Sequence, residues 1–573
     1  MSKPCQVAVI GAGPQGLAML KNLLELNRPD DQLFEAEIFE ARNSIGGLWA
    51  YSDNVDIPTA LTTTLGNACK WRNCYADFPV DEAFGYEAPV YLDQKEMLTY
   101  LEKYADKFDL RPHIRLGVRV INVERLSEEN KWLLFIKDQT TGKVEAKKYD
   151  KVIEACGRFS VPRMPKIQGI ERFRGIVIHS GAYKNRQQFQ GKRVLILGFG
   201  ISAAETAVEL VGHANTIYLS HRRGNTIFGR VVNKKPLDLF RSRRAFTFQN
   251  VVKLVSPSTF ATMSAKTIDG FMEDGAKGRI KPEWNIRPTP SLTFTRPIIC
   301  DTLIDNLDRG TISSVASIRQ VVSDSTVELA DGSTVDVDAI ILCTGYSRAS
   351  IMSQFVQTNG SPALPHLFHN TFTPEHGAAL AITSSWWLPT GICEVADALG
   401  MAVAQVFAGH SRLPSAAQME RQIASRHAAL RAMAAAEATP PGADAMEILV
   451  DEGPLRAFVN DMAKTGVNEM LGYGLEGWSF WWRERELCEM LMAGIDSPHI
   501  HRLFEPPPET RRKRWPGARA AIEVANEQLR IFMEKSDEEQ AQLIARDTAE
   551  RYKSLPVDNR ICLNSRQESS ASL

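Results

Sequence analysis

Cysteine, net charge and long apolar runs are all scarce in this 573-residue chain, and each scarcity removes a class of function. The nine cysteines (Cys5, Cys69, Cys74, Cys156, Cys300, Cys343, Cys393, Cys488 and Cys562) form no CxxC pair and no metal-ligand spacing. That argues against a bound metal and against the redox pair of a disulfide reductase. Cys69 and Cys74, the nearest pair, read as packing residues, and scattered thiols suit a reducing, cytoplasmic setting. Lys and Arg total 67 against 68 Asp and Glu, so neither nucleic acid nor an anionic bilayer is an expected partner. The longest weakly polar stretch, GAALAITSSWWLPTGIC (377–393), is broken by Pro389 and is too short to predict a membrane anchor. With a strand starting by Cys5, no signal peptide is expected.

A hydrophobic content of 44% with 24% charged residues is that of a globular protein, and the length exceeds what one core serves, so two or three domains are expected. The one internal repetition is a strand, a glycine turn and a helix, present twice. CQVAVI suits a buried parallel strand and runs into Gly11-Ala12-Gly13-Pro14-Gln15-Gly16, after which Leu17, Leu20, Leu23 and Leu24 share a helix face. Gly11 permits the tight turn, Gly13 lets the backbone approach a pyrophosphate, and Gly16 lets helix and strand pack closely. The phosphates then sit at the positive end of the helix dipole. EAEIFEA (35–41) is the next strand, and Glu40 near its end can accept hydrogen bonds from a free ribose diol, as in FAD or NAD.

The second copy, KRVLILGFGISAAETAVELVG, carries Gly198, Gly200 and Ser202, but its next strand ends in Ser220-His221-Arg222-Arg223. An acid there would repel a 2′-phosphate. Arg222 or Arg223 can grip one through charge-assisted bonds, which points to NADPH. The other reading of His221-Arg222-Arg223 is a solvated basic run. Elsewhere the pattern predicts a helix over 93–107 and strands near 115–123, 132–137 and 151–155. It also predicts a hairpin turning at Asp331-Gly332, a long helix over 416–438, and C-terminal helices at 517–535 and 537–554. GWSFWWRERE (477–486) reads as a Trp-rich loop region before them.

GAGPQGL, FEARNSIGGLW, GNACKWRNCYADFP, FRGIVIHSGAY, LGFGISAAE and ILCTGY occur in the order found in flavin-containing monooxygenases, which the chain resembles over about residues 4–420. Phe173, Gly175, His179 and Tyr183 match that family's FxGxxxHxxxY fingerprint. The resemblance implies an α/β fold with two Rossmann-like dinucleotide-binding domains and a C-terminal helical extension (421–573). An FAD domain (1–185 and 336–420) would be interrupted by a smaller NADPH domain (186–335). It assigns Gly11, Gly13, Gly16, Glu40, Gly47, Leu48 and Trp49 to FAD, and Gly198, Gly200, Ser202 and Arg222 to NADPH, with Arg223 and Arg230 as helpers. Asn67, the one catalytic assignment, would stand beside the flavin ring and the nicotinamide. Thr344 and Gly345 would mark a crossing between domains, and Leu388-Pro389-Thr390-Gly391 would lie against the flavin. His179 and Tyr183 join the cofactor-binding set at the domain junction, where the histidine also reads as a satisfied structural group.

The implied activity is FAD- and NADPH-dependent monooxygenation of a small molecule at nitrogen or sulfur with O2, through a C4a-hydroperoxyflavin. Tyr183, where Baeyer–Villiger relatives usually carry Trp, favours heteroatom oxygenation. A Baeyer–Villiger enzyme, an amino-acid N-hydroxylating enzyme and a non-enzymatic NADPH-binding protein stay open, as does a homodimer. Gly66, Cys156 and Cys343 are the departures near the flavin. The tail lacks the apolar anchor of animal members, and its tryptophans either line a channel or cement a helical cap.

Overall fold

The computed structural model describes residues 3–86, 88–292, 294–347, 350–359, 364–384, 390–436 and 452–544. In chain order, β1 (Cys5–Ile10), α1 (Pro14–Leu24) and β2 (Phe34–Phe39) are followed by β3 (Lys151–Glu154), β4 (Ile176–His179) and β5 (Arg193–Leu197). Then come α2 (Ile201–Leu210), β6 (Thr216–His221), β7 (Ser313–Ala316), β8 (Ala339–Leu342), β9 (Leu380–Ile382) and α3 (Ile392–Phe407).

The strands form two parallel five-stranded sheets, as the two nucleotide turns predict. The first runs β9-β3-β1-β2 and ends on a short strand, Ile114–Arg115; the second runs β7-β6-β5-β8-β4. The central strands β1 and β5 are apolar because both of their faces are covered. Leu17, Leu20 and Leu23 of α1 are fully buried against α3, and the two helices meet closely because Gly400 faces Ala18. A Cβ on Gly400 would lie 3.0 Å from the Ala18 carbonyl oxygen.

The second sheet takes β4 from before residue 185 and β8 from after residue 335. Both β4 and β8 pair within the second sheet, β8 lying between β5 and β4. The fingerprint segment therefore supplies an edge strand, β4, to the second sheet. Two antiparallel three-stranded sheets are added, at 118–149 and 318–336, the second turning at Asp331-Gly332 as expected. Helix Gln94–Lys107 also matches its expectation, opened by a capping box between Asp93 and Glu96. Helices Arg243–Val255 and Pro257–Ala276, between β6 and β7 in the chain, were not foreseen.

The C-terminal extension is helical. It comprises α4 (Ala416–Ala436), α5 (Glu452–Ala463), α6 (Leu475–Arg483), α7 (Arg485–Ala493), α8 (Ala518–Glu534) and α9 (Asp537–Ile544). The end of the last expected helix lies outside the described residues. The Trp-rich stretch is not a loop; it forms α6 and α7, which bury Phe480, Leu487, Cys488 and Leu491 in a shared cluster. Trp481 packs against that cluster, whereas Trp478 and Trp482 are exposed. Among the described residues no helix is long and apolar enough to cross a membrane.

Arg502 joins the extension to the back of the first domain. Its guanidinium lies 2.6 Å from Glu25 and 3.2 Å from Asp77, and it donates to Asn22 at 2.8 Å. Lys21 pairs with the same two carboxylates, and Asn22 passes the network to Asp397 on α3. Burial opposes ionisation of Glu25 and Asp77, but the charges of Arg502 and Lys21 outweigh it and hold both carboxyls below their usual range.

Candidate nucleotide and flavin site

The two glycine turns repeat one geometry. A Cβ on Gly11 would sit 2.6 Å from the Ala155 carbonyl oxygen, and one on Gly198 would sit 2.4 Å from that of Cys343. Both glycines have positive φ, 107° and 132°, so only glycine turns the chain there without strain. At Gly16 the added carbon would fall 1.9 Å from the Gly11 carbonyl oxygen, which explains the third glycine of the first turn. At Gly13 and Gly200, by contrast, the space a Cβ would take is open, with nothing nearer than 3.7 Å and 4 Å respectively. These are the positions where, from the sequence, a pyrophosphate is expected to approach the backbone.

Gly13 and Gly200 are the N-caps of α1 and α2, and neither helix start has a side-chain cap. Uncapped amides at the positive end of a helix dipole suit an anion. Both turns therefore fit a dinucleotide. The carboxylate of Glu40 accepts from the Ala12 and Arg42 amides, each at 2.8 Å, and so shapes the first turn. Each of its oxygens keeps a lone pair for a ribose hydroxyl. Arg42 reaches the carbonyls of Gly47, Ala50 and Pro58 and fixes the GGLW segment against the turn. Gly47 packs 3.1 Å (as a Cβ) from Gly13, and the Leu48 and Trp49 carbonyls accept from Ala60 and Gln94. Sequence reasoning missed Arg42 because it has no fixed spacing from the carbonyls it binds.

At the second turn Ser202 and Arg222 are exposed, and Arg223 is half-buried. His221 is buried and stacked on Phe199, and burial lowers its pKa, so positive charge at this strand end comes from the arginines. Thr344 donates to the Arg163 carbonyl at 2.6 Å, and Gly345 adopts positive φ at the crossing. His179 commits both ring nitrogens to backbone. Nδ1 accepts from the Gly181 amide at 3.0 Å, and Nε2–H donates to the Gly345 carbonyl at 2.9 Å. Burial depresses its pKa, which keeps the ring neutral. The Tyr183 ring stacks on Phe189 in the second core, and burial together with the charge of Glu209 pushes its hydroxyl well above the usual range. The fingerprint His and Tyr thus hold the second domain and its crossing together.

Asn67 is exposed on a loop gripped from several sides. Arg230, named above as a helper for NADPH, instead donates to the carbonyls of Leu65 and Gly66, each at 2.9 Å, and to Asn67 Oδ1 at 3.2 Å. Asp238 accepts from the Cys69 amide at 2.9 Å. Trp71 donates to Gln528 of α8 at 2.7 Å, and Arg72 reaches Thr390 and Glu394, each at 3.0 Å. Gly391 is required because a Cβ would fall 2.4 Å from the Arg72 carbonyl oxygen. Leu388 and Pro389 lie outside the described residues. Gly66 is closely confined, since a Cβ there would lie 3.1 Å from the Leu92 carbonyl oxygen, and the Leu92 backbone would have to give slightly to admit one. None of these long-range partners of the asparagine loop was legible in the sequence. Among the described residues no group of His, Cys, Asp and Glu is arranged to hold a metal ion.

The profile of the family described as flavin-binding monooxygenase-like matches residues 4–545. The chain is 33% identical to the monooxygenase aurF of Gibberella zeae, over 91% of this chain and 97% of that one. It is 27% identical to flavin-containing monooxygenase 5 of Rattus norvegicus, over 92% of each chain. In fold it is similar to the S-allyl-L-cysteine S-oxygenase of Allium sativum, with a TM-score of 0.58 at 17% identity, covering 92% of this chain and 99% of that one. It is also similar to the NADP+-bound cyclohexanone monooxygenase of Rhodococcus sp. Phi1, with a TM-score of 0.57 at 18% identity, covering 81% and 98%. With two dinucleotide turns on two parallel sheets and a family match along nearly its whole length, the chain belongs to the flavin-binding monooxygenases.

Proposed function

We propose that the chain binds FAD at Gly11–Gly16 and NADPH at Gly198–Ser202, and transfers one oxygen atom of O2 to a nucleophilic nitrogen or sulfur of a small organic substrate. The observation that carries this reading is a contrast between two otherwise equal sites. Both offer an uncapped helix start behind an open glycine, but the next strand leads to a carboxylate at the first and to arginines at the second. A carboxylate suits a ribose diol, and a guanidinium suits a 2′-phosphate.

The flavin, when bound, supplies the hydride and oxygen chemistry. The protein contributes orientation and exclusion of water. Glu40 holds the first turn while facing the ribose. Asn67 offers a neutral amide donor on a loop that is fixed by Arg230, Asp238, Arg72 and Gln528. His179, neutral and bonded on both nitrogens, is not a proton carrier in this reading; it ties β4 to the Gly345 crossing.

Arg222→Ala is expected to weaken NADPH binding by about 1.5–3 kcal/mol, the usual scale for a lost charged hydrogen bond, and to leave NADH nearly unchanged. Titration of both nucleotides checks it, and an unaltered NADPH-to-NADH ratio would remove Arg222 from the phosphate site. The oxygenated atom is tested by following NADPH consumption with thioethers, tertiary amines and cyclic ketones and weighing the products. Sulfoxides or N-oxides support the reading, whereas lactones from the ketones alone would replace it with Baeyer–Villiger chemistry.

A further inference from the structure

Arg230 follows β6 of the second sheet in the chain, yet its side chain serves the asparagine loop that precedes β3. It is nearly inaccessible, and its guanidinium makes four hydrogen bonds. Nε donates to Gly66 O, Nη2 to Leu65 O and Asn67 Oδ1, and Nη1 to Asp301 Oδ2 at 2.6 Å. The other Asp301 oxygen accepts from the Arg230 amide at 2.7 Å, and Tyr91 donates its hydroxyl to the Arg230 carbonyl at 2.7 Å. Backbone and side chain of this one residue are therefore both fixed.

A guanidinium has donors only, so the Asn67 atom facing it must be the carbonyl oxygen. That settles an otherwise ambiguous amide. With Oδ1 held by Arg230, the Nδ2 hydrogens point away from the clamp. Without the cation, rotation of the amide by half a turn would exchange donor for acceptor at the same place, and among the described residues no other side-chain hydrogen bond of Asn67 opposes it. We infer that Arg230 is the positioning residue for Asn67: it turns the amide so that its hydrogen-bond donor faces away from the clamp, where the proposed function puts the cofactors, and Asp301 holds Arg230 in that duty. This rests on the proposed role of Asn67 and removes Arg230 from the NADPH helpers.

The test compares Arg230→Gln, Arg230→Lys, Asp301→Asn, Asn67→Ala and the Arg230→Gln/Asn67→Ala double variant, each as the flavin-loaded full chain. The ratio of hydrogen peroxide released to NADPH oxidised, the visible spectrum of the bound flavin, and NADP+ affinity by equilibrium titration are measured on each. For Arg230→Gln the peroxide ratio is expected to rise about tenfold, the scale of one lost charge-assisted hydrogen bond, with a shifted flavin spectrum and NADP+ affinity kept within about twofold. Arg230→Lys should restore part of the coupling, and Asp301→Asn should fall between. The double variant should leak no more than Asn67→Ala alone, because Arg230 acts through that amide. Additive leakage in the double variant, or a loss of NADP+ affinity with coupling intact, would overturn the inference. If Arg230→Gln does not fold, parental coupling and spectrum in Asp301→Asn would overturn it equally. A parent protein that carries no flavin, or does not oxidise NADPH, would instead fail the functional reading itself.

Discussion

Arg502→Met is expected to lower the unfolding free energy by about 3–5 kcal/mol at neutral pH, because it leaves two buried carboxylates with one cation between them. Arg502 is 1% exposed and bridges Glu25 and Asp77 while also holding Asn22 and the Lys513 carbonyl. The deficit has a defined pH dependence. Both carboxyls are held below their ordinary values of 4.5 and 3.8, so their favourable contribution is present above those values and is lost as pH falls through the lower folded ones. In the variant the two acids share only Lys21 and can protonate on acidification, which relieves the buried charge. The difference between variant and parent should therefore shrink from pH 7 toward pH 3. Denaturant titrations at several pH values measure it, and a pH-independent loss of less than about 1 kcal/mol would mean that the pair behaves like a surface salt bridge. Because Arg502 links the extension to α1, the same loss should appear in the unfolding of both parts.

Glu205→Gln should act in the opposite direction, making the protein more stable at pH 8. Glu205 lies on α2 just after the second nucleotide turn. Burial, reinforced by Glu209 and partly offset by Arg230, raises its pKa from 4.5 to about 7. A folded-state pKa above the unfolded one means that the folded chain holds a proton which the unfolded chain has released. Parental stability therefore falls as pH rises from 4.5 to about 7 and is level above that. The full shift is discounted because the side chain is only partly buried, leaving a cost of about 2–3 kcal/mol that the neutral glutamine does not incur. Thermal unfolding of the two proteins should thus agree at pH 4.5 and diverge by pH 8, the variant melting higher. Parallel curves across that range would show that Glu205 ionises freely in the folded chain.

How far the sequence could be read follows from the range of each interaction. The nucleotide turns were legible because their glycines answer to local sterics. Gly11, Gly16 and Gly198 each face a backbone carbonyl that leaves no room for a Cβ. The apolar face of α1 and the Asp331-Gly332 turn were readable for the same reason, as short-range periodicity and turn chemistry. The stretch 477–486, read as a loop, lies in α6 and the start of α7. In the structure the helical stripe that matters is Phe480, Leu487, Cys488 and Leu491, while Trp478 and Trp482 face solvent. The pairing of β4 and β8 with the second sheet was not legible, since a parallel sheet joins strands distant in sequence. The surroundings of Asn67 were the least legible of all. Its loop is fixed by Arg230, Asp238, Glu394 and Gln528, partners that lie from 163 to 457 residues away in sequence.

One measurement tests the central claim, that a single chain holds a flavin and a phosphorylated nicotinamide close enough for electrons to pass. The purified protein is made anaerobic, NADPH is added, and the visible absorption is followed. The account predicts a yellow protein whose flavin band bleaches with NADPH, bleaches far more slowly with NADH, and returns when air is admitted. A colourless protein, or a flavin band that NADPH leaves untouched, would contradict it.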